Sequence, residues 1–227
     1  MLESVLGSIF DLLFPRYCFH CQELLKRDEI LFCRACQKAL PLVSPGCPIC
    51  EGPSEPGHLC PRCASRFSFE RVLVPFYYAG PIAEAVKFLK YEGRLWLARE
   101  LIRLWKSHAE LPEADFLIPV PLHPSRLYER GFNQSLLFAR FLDRRRVLAD
   151  ELQRLHRTRP QTGLSLRERQ KNVRRAFALR REGAVRGKSI VLVDDVLTTG
   201  ATVEECARVL KKAGAKEISV ALLARAR

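Results

Sequence analysis

The order of apolar and polar positions changes character along the chain. From residue 71 onward it alternates between two periods. The run 71–78 (RVLVPFYY) reads as a strand interrupted by Pro75. Ile82, Val86 and Leu89, then Leu97, Leu101 and Leu104, recur at helical spacing through 82–105, with Gly93 placed to break the stretch into two helices. The short apolar run 116–122 (FLIPVPL) suits a buried strand, 135–146 a helix, and 189–193 a second buried strand. A helix over 203–213, stopped by Gly214, and a last strand over 218–223 complete the pattern. Strands alternating with helices predict an α/β layer around a mainly parallel sheet over 69–227. At the other end, Leu2, Val5, Leu6, Ile9, Phe10 and Leu13 follow helical spacing, so 1–16 is expected to be an amphipathic helix docked on the body.

The stretch 17–68 has neither period. It has cysteines instead, eight of the chain's nine, in CxxC pairs: Cys18/Cys21, Cys33/Cys36, Cys47/Cys50 and Cys60/Cys63. Prolines 41, 45, 48, 53, 56 and 61 punctuate the same region, as expected for loops folded around something other than a large core. Two thiolates separated by two residues reach one metal from a tight turn, and two such pairs complete the tetrahedral four-cysteine shell of structural zinc. Four pairs therefore predict two closed Zn2+ sites, a double zinc ribbon whose folding depends on the metal. A redox CxxC explains one pair and not four, and a disulfide framework does not suit a reducing compartment. The short loops favour sequential pairing, with 18, 21, 33 and 36 on one ion and 47, 50, 60 and 63 on the other; a cross-braced arrangement is the alternative. His20 and His58 are then bystanders. With no open coordination position, the module is structural or a surface for a protein partner.

Glu3 and Asp11, without a basic n-region, make the first residues a poor signal peptide, and no run of about 18 apolar residues occurs. The expectation is a cytoplasmic protein with no membrane span. Charge then singles out one segment. Residues 1–70 hold 7 basic and 8 acidic side chains, whereas 126–188 holds 18 against 6, out of a net +13 for all 227 residues. An anionic ligand or a solvated arginine surface accounts for that excess.

The sharpest signal is 189–213 (SIVLVDDVLTTGATVEECARVLKKA). An apolar strand runs into Asp194 and Asp195, then the turn Thr198, Thr199, Gly200, Ala201 and Thr202, then a helix. In an open α/β sheet, ligands bind beyond the carboxyl ends of the strands, where this turn must lie. Gly200 lets the backbone pass close to a ligand, and the helix start with its threonine hydroxyls makes an anion cradle. Two adjacent carboxylates accept hydrogen bonds from vicinal hydroxyls or help to hold Mg2+. A phosphate cup beside a diol clamp describes a sugar phosphate.

The segment VLVDDVLTTGAT resembles the signature with which type I phosphoribosyltransferases bind 5-phosphoribosyl 1-pyrophosphate (PRPP). The resemblance implies that Asp194 and Asp195 hold the ribose hydroxyls, as the catalytic acids, while 198–202 cup the 5-phosphate. It also implies a type I phosphoribosyltransferase-like parallel sheet flanked by helices. Together with 119–135 (PVPLHPSRLYERGFNQS), the basic loop 158–172 and the CxxC module, the chain resembles the ComF (GntX-like) family from Cys18 onward. Family kinship implies a link to natural competence and the use of external DNA.

Arg126 and Arg130 on the first segment, with Arg157, Arg159 and Arg167 on the second, are candidates for the pyrophosphate, since guanidinium forks suit phosphate oxygens. Asn133 is either the cap of a helix or a ligand group. The sequence 183–189 (GAVRGKS) has one residue too few between its glycines for a Walker loop and precedes a strand; it reads as a turn. Cys206 reads as a small buried residue. Two functions remain open: transfer at C1 of Mg2+–PRPP, or a PRPP-responsive factor that binds single-stranded DNA.

Overall fold

The computed structural model describes residues 15–156, 175–181 and 183–226. The expected helix over 1–16 falls almost wholly outside them, as does the basic loop 158–172. In the cysteine-rich region two short helices, α1 (Arg34–Lys38) and α2 (Pro61–Ala64), start at the second cysteine pair of each half. Strands β1 (Arg71–Leu73) and β2 (Phe76–Tyr77) follow, separated at Pro75, which has no N–H to give a ladder. Helices α3 (Gly80–Glu92) and α4 (Trp96–Lys106) come next. Gly93 ends α3 in the left-handed region, φ +64°, a conformation that costs a residue with a Cβ about 1–2 kcal/mol.

Beyond them lie β3 (Phe116–Pro119), α5 (Pro124–Arg130), α6 (Gln134–Asp143), β4 (Leu152–Arg154), β5 (Phe177–Leu179), β6 (Ser189–Leu197), α7 (Ala201–Lys212) and β7 (Glu217–Arg225). The main sheet runs β1-β7-β6-β3, with β2 also on β7, and every pairing in it is parallel. The register sets Leu192 between Ile118 and Val220. Strands buried on both faces need apolar residues at consecutive positions, and 190–193 supplies them.

Their side chains alternate between two core layers. Val191, Val193, Ala221 and Leu223 pack with α3, α4 and α6; Ile190, Leu192, Val220 and Leu222 pack with α7, β4 and β5. The indole N–H of buried Trp105 donates to the Leu222 carbonyl at 2.9 Å and ties α4 to the sheet. Each half of the cysteine region joins a different layer. Cys18, Cys33 and Cys36 with Leu31 and Phe32 extend the first, and Cys47, Cys60 and Cys63 extend the second. Hydrogen bonds from Leu59 to Glu70, from Val72 to Gly57 and from Val43 to Pro75 cover the free edge of β1 with the same region.

Three features depart from the periodicity. The acids lie within β6, which continues to Leu197 rather than ending at 193. The antiparallel pair β4–β5, which brackets 157–174, and the short helix α5 were not expected from the pattern. Residues 183–187 form a turn, and Cys206 is fully buried, both as anticipated.

Candidate functional site

The cysteines converge in two tetrads, Cys18/Cys21/Cys33/Cys36 and Cys47/Cys50/Cys60/Cys63, each with its ligand atoms within 4.8 Å of one another. This is the sequential pairing. Four sulfurs about 2.3 Å from one zinc stand about 3.8 Å apart, and the Cys21–Cys33 and Cys50–Cys60 Sγ distances of 3.6 and 3.5 Å suit that shell. Burial raises the Cys18 thiol, but the N–H groups of Cys21, Cys33 and His20 outweigh it and bring it down to about 6. Burial and the neighbouring thiols push Cys36 well up. In the second tetrad the Gly52 N–H and Arg62 lower Cys50 to about 6, while burial pushes Cys63 up to about 12. Each tetrad thus holds at least one thiol biased toward the thiolate and one that burial biases toward the protonated form, and a cation at the centre favours ionisation of all four. His20 is not a ligand; its Nδ1 meets Glu84 Oε2 at 2.8 Å.

The second site opens at the carboxyl ends of β3 and β6, a cavity of about 320 Å³. Asp194 and Asp195 line it from β6, Thr198 from the β6–α7 turn, Thr202 from the start of α7, and Arg126 and Arg130 from α5. At the turn the Ala201 N–H donates to Thr199 Oγ1 at 3.3 Å, while Gly200 caps α7 with φ +77°. A Cβ at Gly200 would stand 3.2 Å from the Phe67 ring, so both conformation and space call for glycine. Arg159, with Arg157 and Arg167, lies outside the described residues.

The structure adds groups that sequence reasoning missed. Tyr78, Lys90 and Tyr91 line the cavity from the β2–α3 side, Gln134 and Ser135 from the start of α6, and Arg154 from β4. Asn133 is the α6 cap: its Oδ1 accepts from the Ser135 N–H at 3.0 Å, and its Nδ2 donates to the Val120 carbonyl at 3.1 Å. That pair of bonds fixes α6 to the exit of β3 and aims Ser135 Oγ at Asp194 Oδ1, 2.8 Å away. Asp194 Oδ1 also accepts from the Asp195 N–H at 2.9 Å. The Lys90 ammonium sits 2.6 Å from Asp195 Oδ2, with the two side chains 18% and 14% exposed. Lys90 left a trace in the sequence, since it falls four residues after Val86 on the apolar stripe of its helix.

Burial pushes the Asp194 carboxyl up to about 7, and the adjoining Asp195 charge adds to this. Ser135, the Asp195 N–H and Lys90 oppose the rise only in part. Burial works against the Lys90 charge, yet the Asp195 carboxylate outweighs it and holds the ammonium's pKa above its ordinary value. Burial draws the Arg154 guanidinium down, and Arg126 reinforces this. The Arg130 guanidinium lies 5.9 Å from the centre of the Tyr91 ring. Carboxylates on one wall and guanidiniums on another make a cavity for a ligand with hydroxyls at one end and anionic oxygens at the other.

Comparison with known proteins finds relatives of both parts of the chain. Residues 138–227 match the phosphoribosyl transferase domain and residues 9–69 the double zinc ribbon domain. Competence protein F of Haemophilus influenzae is 32% identical over 226 residues, which span 92% of this chain and 96% of that protein. The DNA utilization protein YhgH of Escherichia coli O6:H1 is 35% identical over 223 residues, 93% and 97% of the two chains. Competence protein ComFC of Bacillus subtilis is 28% identical over 206 residues, 84% and 82%. Among the described residues no helix is long and apolar enough to cross a membrane.

Proposed function

The chain belongs to the competence protein F family, a double zinc ribbon joined to a phosphoribosyltransferase-like domain, and on that premise we propose that it binds PRPP and acts at its C1. One observation carries the reading: the acid pair, the threonine turn and the arginines of α5 and β4 converge on one cavity. Asp194 and Asp195 accept the ribose hydroxyls, and Thr198, Thr199, Gly200, Ala201 and Thr202 enclose the 5-phosphate at the start of α7. Arg126 and Arg130 take the pyrophosphate, with Arg159 from the basic loop.

The C1–O bond to pyrophosphate breaks with its electron pair leaving on oxygen, and C1 becomes an oxocarbenium-like centre. An acceptor, or water, then adds there and gives up its proton. The buried acid pair favours positive charge on the ribose as the guanidiniums favour negative charge on the leaving group. Catalysis of this kind needs positioning and charge stabilisation more than a dedicated base. Mg2+ enters as the counter-ion of the substrate's pyrophosphate. The acid pair is a poor seat for it, because Asp195 Oδ2 already carries the Lys90 ammonium and Asp194 Oδ1 already accepts two hydrogen bonds, which leaves one oxygen of each carboxylate for the ligand. The two zinc ions hold the ribbon together, and the compartment is the cytoplasm, where eight thiols stay reduced.

The test is pyrophosphate release from PRPP by the zinc-loaded chain, with bases, amines and nucleic acids offered as acceptors. Release above the Asp195→Asn variant supports transfer or cleavage; tight binding with no release under any acceptor removes the enzyme reading.

A second reading has its own observation. Tyr91 lines the cavity, is 77% exposed and has the Arg130 guanidinium 5.9 Å from the centre of its ring. An exposed ring beside a guanidinium suits stacking of an unpaired base, and with the competence and DNA-utilization names of the relatives it supports single-stranded DNA as the partner. On this reading PRPP regulates DNA binding. Affinity that falls steeply with salt and drops in Tyr91→Ala supports it, and salt-indifferent affinity overturns it.

A further inference from the structure

The acid pair of the cavity is adjoined by a cation from a different part of the fold. Lys90 sits near the end of α3, and its ammonium reaches Asp195 Oδ2 at 2.6 Å from a position where both side chains are more than four-fifths covered. Its neighbours on the cavity wall are Tyr78 and Tyr91. Asp194, one residue earlier on β6, has its Oδ1 engaged by Ser135 Oγ and by the Asp195 N–H. An octahedral Mg2+ needs carboxylate oxygens at about 2.0–2.1 Å together with room for several waters. The ammonium already holds an oxygen through which such an ion would enter. A dication and an ammonium on the same carboxylate would repel each other in a site with little water to screen them.

We infer that Lys90 is the resident cation of the acid pair, standing where a divalent metal would otherwise bind, so that the ribose end of the ligand is held without a metal. The inference rests on the PRPP reading and deepens it. Lys90 acts through Asp195 and is a positioning residue. It offsets one of two adjoining negative charges while leaving the remaining carboxylate oxygens to accept from the ribose diol, and it fixes α3 against the end of β6. The metal that travels with PRPP then concerns only the pyrophosphate end.

Ribose 5-phosphate separates the two ends, because it has the diol and the phosphate but no pyrophosphate to carry Mg2+. The zinc-loaded full chain is titrated with it by calorimetry in buffer freed of divalent ions, and again with Mg2+ added; no chelator is used, so the zinc stays in place. The wild-type Kd is expected to be the same in the two buffers. Lys90→Met keeps the length of the side chain and removes its charge. It should weaken metal-free binding by about tenfold or more, the scale of a charged hydrogen bond, and Mg2+ should restore part of the loss by taking the freed place. Lys90→Arg keeps a cation and should retain most of the metal-free binding, which separates a loss of charge from a loss of packing. Wild-type binding that requires Mg2+, or Lys90→Met binding as tightly as wild type without it, overturns the inference and leaves the PRPP reading standing. No binding of ribose 5-phosphate or PRPP by the wild-type chain in either buffer overturns both.

Discussion

Replacing Asp194 by asparagine tests whether the acid pair is held at the expense of stability. Asn keeps the shape and an oxygen that accepts from Ser135 and from the Asp195 N–H, the two bonds that position the carboxylate. What it removes is a buried negative charge beside a second one. Burial and Asp195 lift the Asp194 carboxyl from its ordinary 3.8 to about 7. That is some three powers of ten in proton affinity, at about 1.4 kcal/mol each, and hence on the order of 4 kcal/mol.

The sign follows from linkage: an acid whose folded pKa exceeds its unfolded one destabilises the native state as pH climbs past the unfolded value, and the whole penalty is present above the folded value. At about pH 5 roughly a third of it is felt, and at about pH 8 all of it. Asp194→Asn should therefore gain stability relative to wild type as pH rises, by roughly 2–3 kcal/mol between those two conditions. Urea unfolding of the two zinc-loaded proteins at both pH values measures this directly. At about pH 8, where the Asp194 carboxyl is ionised, ribose 5-phosphate binding should weaken at least about tenfold, since a charged acceptor for a ribose hydroxyl has become neutral. A stability difference that stays constant with pH, or a variant that loses ground at about pH 8, would refute the account of Asp194 as a strained, partly neutral acid.

Three further outcomes follow from the fold. Gly200→Ala places a Cβ at φ +77° and 3.2 Å from the Phe67 ring; it should cost about 1–2 kcal/mol in urea unfolding and weaken binding of ribose 5-phosphate. Asn133→Ala removes the α6 cap, worth about 1 kcal/mol, and orphans the Val120 carbonyl. Asn133→Ser, which can keep the cap alone, should fall between it and wild type in a denaturant titration. Removing zinc with a chelator should release two ions per chain and lower the melting temperature of the whole protein, because the cysteine tetrads belong to the two layers that enclose the sheet. In a Trp96→Phe background, fluorescence of Trp105, buried against Leu222, should change in the same transition as the far-ultraviolet circular dichroism; a separate early step confined to the ribbon would contradict the shared core.

The two features that the chain reveals most directly are those built from neighbouring residues. A CxxC pair already sets two thiols at metal-ligand spacing; short loops favoured sequential over cross-braced pairing, and the fold decided it. The β6–α7 turn is equally local, since strand, acids, threonines and Gly200 follow one another without interruption, and the period of the apolar positions suffices to bury the strand. The parallel sheet was legible from the alternation of strand and helix periods, and the unbroken apolar run 190–193 fits a strand covered on both faces.

The state of the acids was not legible. Asp194 and Asp195 look alike in the sequence, and what separates them arrives from elsewhere: Ser135 from α6, Lys90 from α3. The helical period marks Lys90 only as a polar residue on an apolar stripe. It cannot say that the stripe ends over the carboxyl end of β6, which depends on how α3 packs on the first core layer. Arg154 is similar, a residue on a three-residue strand whose brevity leaves almost no pattern, brought to the cavity by pairing with β5. Local sequence thus determined the acids, the threonine turn and the cysteine pairs that this protein offers. Tertiary packing decided their charge and their partners, because burial and electrostatic contact are set by residues distant in the chain.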